Sequence, residues 1–189
     1  MKKVVLGLGV LGLLAMTSGP VTAQIFQNGP YYATPSWDQK TPVAQRFIVL
    51  TNWNNAAVLD QETGLVWERS PTGMSDWFEA LASCHAAIVG NRLGWRLPGV
   101  EELLSLIAPA QRNPALPLGH PFQGIKFGDF DLYWTATTDK PPGLDLAYSV
   151  TFARASALGD NVAELISDTK TETHLYWCVR GGLGAQNPQ

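Results

Sequence analysis

The chain has 189 residues, 16 acidic and 13 basic side chains, and only 15% charged residues, where about 25% is usual for a globular protein. That balance excludes a protein built to grip nucleic acid or sulfated polymers, because such polyanions are held by clustered Lys and Arg and no basic run is present. Seven Trp, 18 Gly and 13 Pro describe a loop-rich domain packed with aromatic rings.

Lys2 and Lys3 precede an apolar run, Val4 to Met16, which is followed by Thr17-Ser18-Gly19-Pro20 and then Val21-Thr22-Ala23. A basic start, a short apolar core and a small-residue end describe a secretory signal peptide over residues 1–23. A membrane anchor would need roughly 20 apolar residues. Without Lys2 and Lys3, 11 basic side chains face 16 acidic ones, a net charge of −5. About 166 residues remain, enough for one domain with a sizeable core. No apolar run long enough to span a bilayer follows, so the expectation is an exported protein, periplasmic or extracellular, without stable membrane insertion after cleavage.

Residues 24–45 carry Gly29-Pro30, Tyr31-Tyr32, Pro35 and Pro42 with no sustained period, which predicts an irregular N-terminal extension. "RFIVL", Arg46 to Leu50, is the first predicted strand. "AAVLD" and "GLVWERS" flank Gln61-Glu62-Thr63-Gly64 as a β-hairpin, with Gly64 supplying the turn. In "SDWFEALASCHAAIVG", Trp77, Leu81, Cys84 and Ile88 share one face of a helix. Asp76 and Glu79 stand at capping-box spacing, and Gly90 is the predicted stop.

A second helix is predicted in "GWRLPGVEELLSLI", where Val100, Leu103, Leu104 and Ile107 repeat at helical spacing. Arg96, Glu101 and Glu102 look at first like a catalytic cluster. With Gly99 as N-cap, however, Glu102 takes the N3 position and reaches back to the Gly99 N–H, half of a capping box. Both glutamates then lie in the first turn, where the helix dipole favours negative charge. Pro98 and Leu103 occupy the positions of a hydrophobic staple. The cluster is therefore assigned to structure, not to chemistry.

Pro109 to Asp131 is a long irregular segment with four prolines, and such loops often bind. "LYWTATT", "LAYSVTFARASA" and "LYWCVRGG" follow as antiparallel strands, the middle one with Tyr148, Val150 and Phe152 on one face. Strand hairpin, two helices, long loop and strands make an α+β domain.

Cys84 and Cys178 are the two cysteines, and an even pair in an exported chain reads first as a disulfide. Closing a loop of roughly 100 residues stabilises by about 4 to 5 kcal/mol in the chain-entropy model. The rival, a reactive thiol activated by His85, fails because neighbours on a helix point about 100° apart. The histidines, His85, His120 and His174, lack metal-site spacing, and no G-x-S-x-G is present, so no enzyme activity is expected. No cofactor is expected either. Calcium is the one metal for which residues offer themselves, with Asp129, Asp131 and Asp139 as ligands, although loop aspartates more often close turns.

Taken together, "VLDQETGLVWERS", "WFEALASC", "GWRLPGVEELLSLI", "LYWTATT", "AYSVTFA" and "YWCVRGG" resemble, in order, the Lcl C-terminal domain family, a bacterial domain of unknown function. The most specific piece is Trp95, Arg96, Leu97 and Pro98, followed by Glu102 and Leu103. The resemblance covers most of a domain set at residues 46–183, with 184–189 as a flexible tail. It implies a C-type-lectin-like fold, two helices flanking a twisted antiparallel sheet with long loops. It also implies a bond from a cysteine on the first helix to one on the final strand, which maps onto Cys84 and Cys178. Gly99 departs from the family, where Thr or Asn is frequent. The collagen-like stalk of the adhesin that gave the family its name is absent, so stalk-driven trimers are not implied and the oligomeric state stays open. The Glu-Pro-Asn and Gln-Pro-Asp triplets of calcium-dependent lectins are absent too.

Two functions follow as expectations. In the first, an exported recognition or adhesion domain binds a glycan or a surface protein through its loop face. Its contacts would be His120, Phe127, Asp129, Asp131 and Tyr133, with Asp139 and Lys140 beyond the next strand. Aromatic faces would stack on the ligand and polar groups would orient it. In the second, the protein is a structural or assembly component of the cell envelope, joined to partners through Tyr31, Tyr32 and Trp37.

Overall fold

The computed structural model describes residues 41–108, 111, 114–128, 130–153 and 165–181. Residues 1–23, expected to be a signal segment, residues 24–40 and the expected tail from 184 lie outside the described residues, as do Tyr31, Tyr32, Trp37 and Asp129.

The predicted hairpin forms as expected. β2 (Ala57–Asp60) pairs antiparallel with β3 (Leu65–Glu68), and Gly64 sits at φ 72°, a left-handed conformation that suits glycine. Asp60 shapes the turn by accepting from the Glu62 N–H at 3.0 Å. Ahead of it, residues 43–45 are not irregular: a short helix, α1 (Val43–Arg46), runs into β1 (Phe47–Val49), which pairs with β2. Arg46 thus ends a helix and does not begin a strand. Its side chain is buried in a charge cluster. Nε and Nη2 donate to the two Asp60 oxygens at 2.9 and 2.8 Å, Nη2 also donates to the Ser105 carbonyl at 2.8 Å, and Glu62 Oε2 lies 3.1 Å from Nε.

β4 (Gly73–Ser75) leads into α2 (Trp77–Ala86), capped by Asp76, whose carboxylate accepts from the Glu79 N–H at 2.8 Å. The helix buries Trp77, Ala80 and Cys84. Ile88, assigned to that face by period, falls outside it. Ala87 turns extended at φ −63°, ψ 139°, ending the helix before Gly90, and leaves Ile88 65% exposed.

β5 (Trp95–Arg96) precedes α3 (Val100–Leu104), and Gly99 is its N-cap as expected. Glu102 Oε2 accepts from the Gly99 N–H at 2.8 Å. A different donor of the first turn is met from outside the helix: Thr137 Oγ1 takes the Val100 N–H at 3.1 Å. The remaining strands are β6 (Leu132–Asp139), β7 (Leu146–Thr151), β8 (Leu165–Thr169), β9 (His174–Tyr176) and β10 (Val179–Arg180).

The architecture is α+β, but with two five-stranded sheets in place of the single one expected. One sheet runs β1-β2-β3-β10-β5 and the other β4-β9-β6-β7-β8. Pairing is antiparallel except between β6 and β9. "LYWCVRGG" is therefore not one strand. The chain leaves the second sheet after Tyr176, crosses at Trp177-Cys178, and enters the first at Val179.

The crossing also divides the core. Trp177 packs with Phe47, Trp67, Phe122, Tyr133, Val150 and Phe152, whereas Cys178 packs with Trp53, Trp77, Cys84, Trp95 and Trp134. The disulfide Cys84–Cys178 is formed, with Cα atoms 5.4 Å apart, and ties α2 to this crossing. Among the described residues no helix is long and apolar enough to cross a membrane.

Candidate functional site

The long loop is nailed down before it reaches its tip. Ala115 N–H donates to the Phe152 carbonyl and Ala108 N–H to the Ala115 carbonyl, while Ala115, Leu116, Phe122 and Ile125 are buried. Arg69 Nε donates to the Pro121 carbonyl at 3.1 Å, and Gln123 N–H donates back to the Arg69 carbonyl at 2.9 Å. A loop fixed at this many points offers its tip at low ordering cost to a ligand.

The tip itself is closed by two locks. Tyr133 Oη accepts from the Lys126 N–H at 2.8 Å and lies 3.2 Å from the Lys126 carbonyl. Asp131 Oδ2 accepts from the Gly128 N–H at 2.6 Å, and the Asp131 N–H returns to the Gly128 carbonyl at 2.9 Å. Between the locks two aromatic rings stand out, Phe127 at 41% and Phe130 at 92% exposure. Covering one such ring is worth on the order of 1.5 to 3 kcal/mol.

The residues expected to form one face take different places. Tyr133 is no surface contact: it is 1% exposed, packed against Phe152 and Trp177, and burial pushes its hydroxyl up to about 12. Its bulk belongs to the core and its hydroxyl to the loop. His120 is half-buried and stacked on Phe122, with burial lowering its pKa, so it is neutral near pH 7. Asp131 is a turn lock. Asp139 and Lys140 sit at the far end of β6, about 25 Å away at the usual rise per residue. That separation overturns the arrangement in which Asp131 and Asp139 share a calcium ion, whose ligands must stand at about 2.3 to 2.6 Å. Asp139 accepts from Ser167 Oγ at 2.8 Å. Lys140 and Lys170 flank Asp145 at 3.6 and 2.7 Å, and the Lys170 hydrogen bond holds that carboxyl below its usual range.

Of the expected contacts only Phe127 and Asp131 lie at the tip among the described residues. Phe130 was not anticipated, although its setting gave a signal: an aromatic placed between two aspartates just after a glycine has little chance of burial.

The W-R-L-P segment is structural in detail. Arg96 forks onto Glu102, with Nη1 to Oε2 at 2.7 Å and Nη2 to Oε1 at 2.6 Å, and Nη2 also donates to the Gly181 carbonyl at 2.7 Å. One guanidinium thereby joins β5, the first turn of α3 and the end of β10, while Glu102 at the same time caps α3.

A disulfide-pinned α+β domain with an anchored aromatic loop is the class of structure defined here. The chain belongs to the Lcl C-terminal domain family, which matches residues 56–180. No curated protein and no solved structure gives a significant match.

Proposed function

We propose that this is an exported, non-catalytic recognition domain of C-type-lectin-like form that binds a glycan or a surface protein through the tip at residues 126–131. The observation that carries the proposal is Phe130, an almost fully exposed ring held between two hydrogen-bonded locks on an anchored loop. Large exposed aromatics on pre-organised loops supply contact area with little conformational entropy to lose. Both cysteines are joined to each other, and Arg96 and Glu102 are engaged with the backbone and with one another, which supports a role without chemistry. The disulfide suits an oxidising compartment and agrees with the N-terminal signal pattern.

The test is binding of the oxidised protein to glycan and peptide arrays, comparing Phe130→Ala and Phe127→Ala with the parent chain. At least tenfold weaker binding by Phe130→Ala, with an unchanged near-UV circular dichroism spectrum, supports the proposal. Ligands retained at full strength by both variants defeat it.

A further inference from the structure

The disulfide has a carboxylate for a neighbour. One residue beyond Val179↔Trp67, the register of β10 on β3 sets Cys178 opposite Glu68, and the Glu68 N–H donates to the Cys178 carbonyl at 3.1 Å. Alternation then puts both side chains on one face of the sheet. Trp67 and Val179 point into the half of the core around Trp177, whereas Cys178 belongs to the half that holds Cys84, Trp95 and Trp134. Residues directly opposite on one face of an antiparallel pair bring their Cβ atoms to about 4.5 to 5.5 Å. On its other side Glu68 is paired with Ala57, whose small, fully buried side chain leaves room for the longer one.

The local hydrogen bonds fit this placement. Trp177 Nε1 donates to the Glu68 carbonyl at 2.6 Å, and the Cys178 N–H bonds to the Glu68 carboxyl. A glutamine would accept that N–H equally well with no charge to bury. No described cation forms an ion pair with Glu68. Arg180, two residues along from Cys178, and Arg92 lie over Trp53, while Arg69 donates to the Pro121 and Asn55 carbonyls. From α2, neutral Ala80 and Cys84 enter this half of the core and His85 is exposed. Burial raises the Glu68 carboxyl to about 6, so it is ionised at neutral pH at a cost to the fold. Packing and the backbone bond account for the length of this side chain and not for its charge.

We propose that Glu68 is the proton acceptor that assists closure of the Cys84–Cys178 bond. Cys84 is synthesised 94 residues ahead of Cys178 and takes the first, mixed disulfide from an oxidant that is itself a disulfide. The Cys178 sulfur then attacks the Cys84 sulfur, and the bond from Cys84 to the oxidant's sulfur breaks. The Cys178 thiol proton passes to the Glu68 carboxylate. The electron pair leaves on the oxidant's thiolate, which recovers the proton by way of solvent. In sum the two cysteines lose two electrons and the oxidant becomes two thiols. A free thiol, with a pKa of about 8.5, is mostly protonated at neutral pH, so an adjacent base speeds its attack. The step occurs once per chain.

The test adds oxidised glutathione to the full, reduced chain and follows closure by acid quenching and mass spectrometry, which separates the mixed disulfide from the closed bond. With the carboxylate as acceptor, closure rises up to about pH 6 and then levels off. Glu68→Gln keeps an acceptor for the Cys178 N–H. It is expected to close at least tenfold more slowly at pH 7 and to gain about tenfold per pH unit, as a thiolate does below its pKa of about 8.5. A purely structural role for Glu68 predicts no slowing, because the amide relieves a buried charge. Glu79→Gln, at an exposed position of α2, is expected to close as the parent does. Equal rates in Glu68→Gln and the parent, or equal slowing by Glu79→Gln, overturn the proposal. Should Glu68→Gln fail to fold, the parent's profile decides, and a tenfold rise per unit sustained from pH 5 to pH 8 overturns it.

Discussion

Arg46 and Arg96 direct their side-chain donors at carboxylates and carbonyls of their own chain, whereas the guanidiniums of Arg92 and Arg180 lie over Trp53 and donate to no described residue. The residue type is the same and the local charge balance differs. Around Arg46 two carboxylates are buried within reach, and beside Arg96 one glutamate reaches back from a helix turn. Over Trp53 the two guanidiniums form no ion pair with a described residue, and neither does Glu68, a carboxylate on β3 in the same sheet as Arg180. The paired arginines tie elements of this fold together, and those over Trp53 pack against an aromatic ring instead.

The comparison breaks first at Arg46. Arg46→Met leaves Asp60 buried without the cation that forks onto it, and a loss of about 3 to 5 kcal/mol is expected in denaturant melts. A loss under 1 kcal/mol would mean the cluster is not a structural centre.

Glu68 sharpens the contrast through pH. Burial pushes its carboxyl from 4.5 up to about 6, so the folded state holds this proton more tightly than the unfolded chain. Its contribution is most favourable below about 4.5 and is lost as pH rises through about 6. Glu68→Gln should therefore raise stability at pH 7 by up to about 2 kcal/mol and flatten the pH profile over that interval, as thermal melts at several pH values would reveal.

Arg96→Lys keeps the charge but loses the fork onto Glu102 and the bond to Gly181. With both groups partly exposed, a loss of about 1 kcal/mol is expected by urea denaturation. The smallest effects concern the cap beside it. Thr137→Val removes the hydroxyl that accepts the Val100 N–H and should cost about 1 kcal/mol or less. Gly99→Ser should add a few tenths of a kcal/mol of its own, because a Cβ at position 99 meets nothing nearer than 3.7 Å and the new hydroxyl can accept from the second or third N–H of the turn. The two acceptors serve different N–H groups, so calorimetric melts of the single and double variants should give additive effects.

Much of the local structure was legible because it depends on residues close in sequence. Asp76 and Glu79, the turn at residues 61–64, and Glu102 folded back on Gly99 are short-range hydrogen bonds with recognisable spacing. The two cysteines were legible for a different reason, since a lone pair has one internal partner to find. What stayed hidden depends on distant register. Glu62 read as a turn residue and Arg46 as a strand residue until β1 and β2 brought them together. Tyr133, Asp139 and Lys140 looked like one face because they are near in sequence, but an extended strand carries its ends far apart. The apolar run around Trp177 and Cys178 has no internal mark of the crossing between sheets. Ile88 kept the helical period past the point where Ala87 ends the helix, so periodicity alone assigned it to the wrong side.

The crossing at Trp177-Cys178 has a consequence for biogenesis. β9 lies between β4 and β6, and β10 between β3 and β5, so both sheets are missing an inner strand until the closing segment is available. A nascent chain halted before residue 174 would hold two incomplete halves with no covalent bridge. The folded state of this domain thus waits for its closing segment, and until that segment is made both sheets stay open.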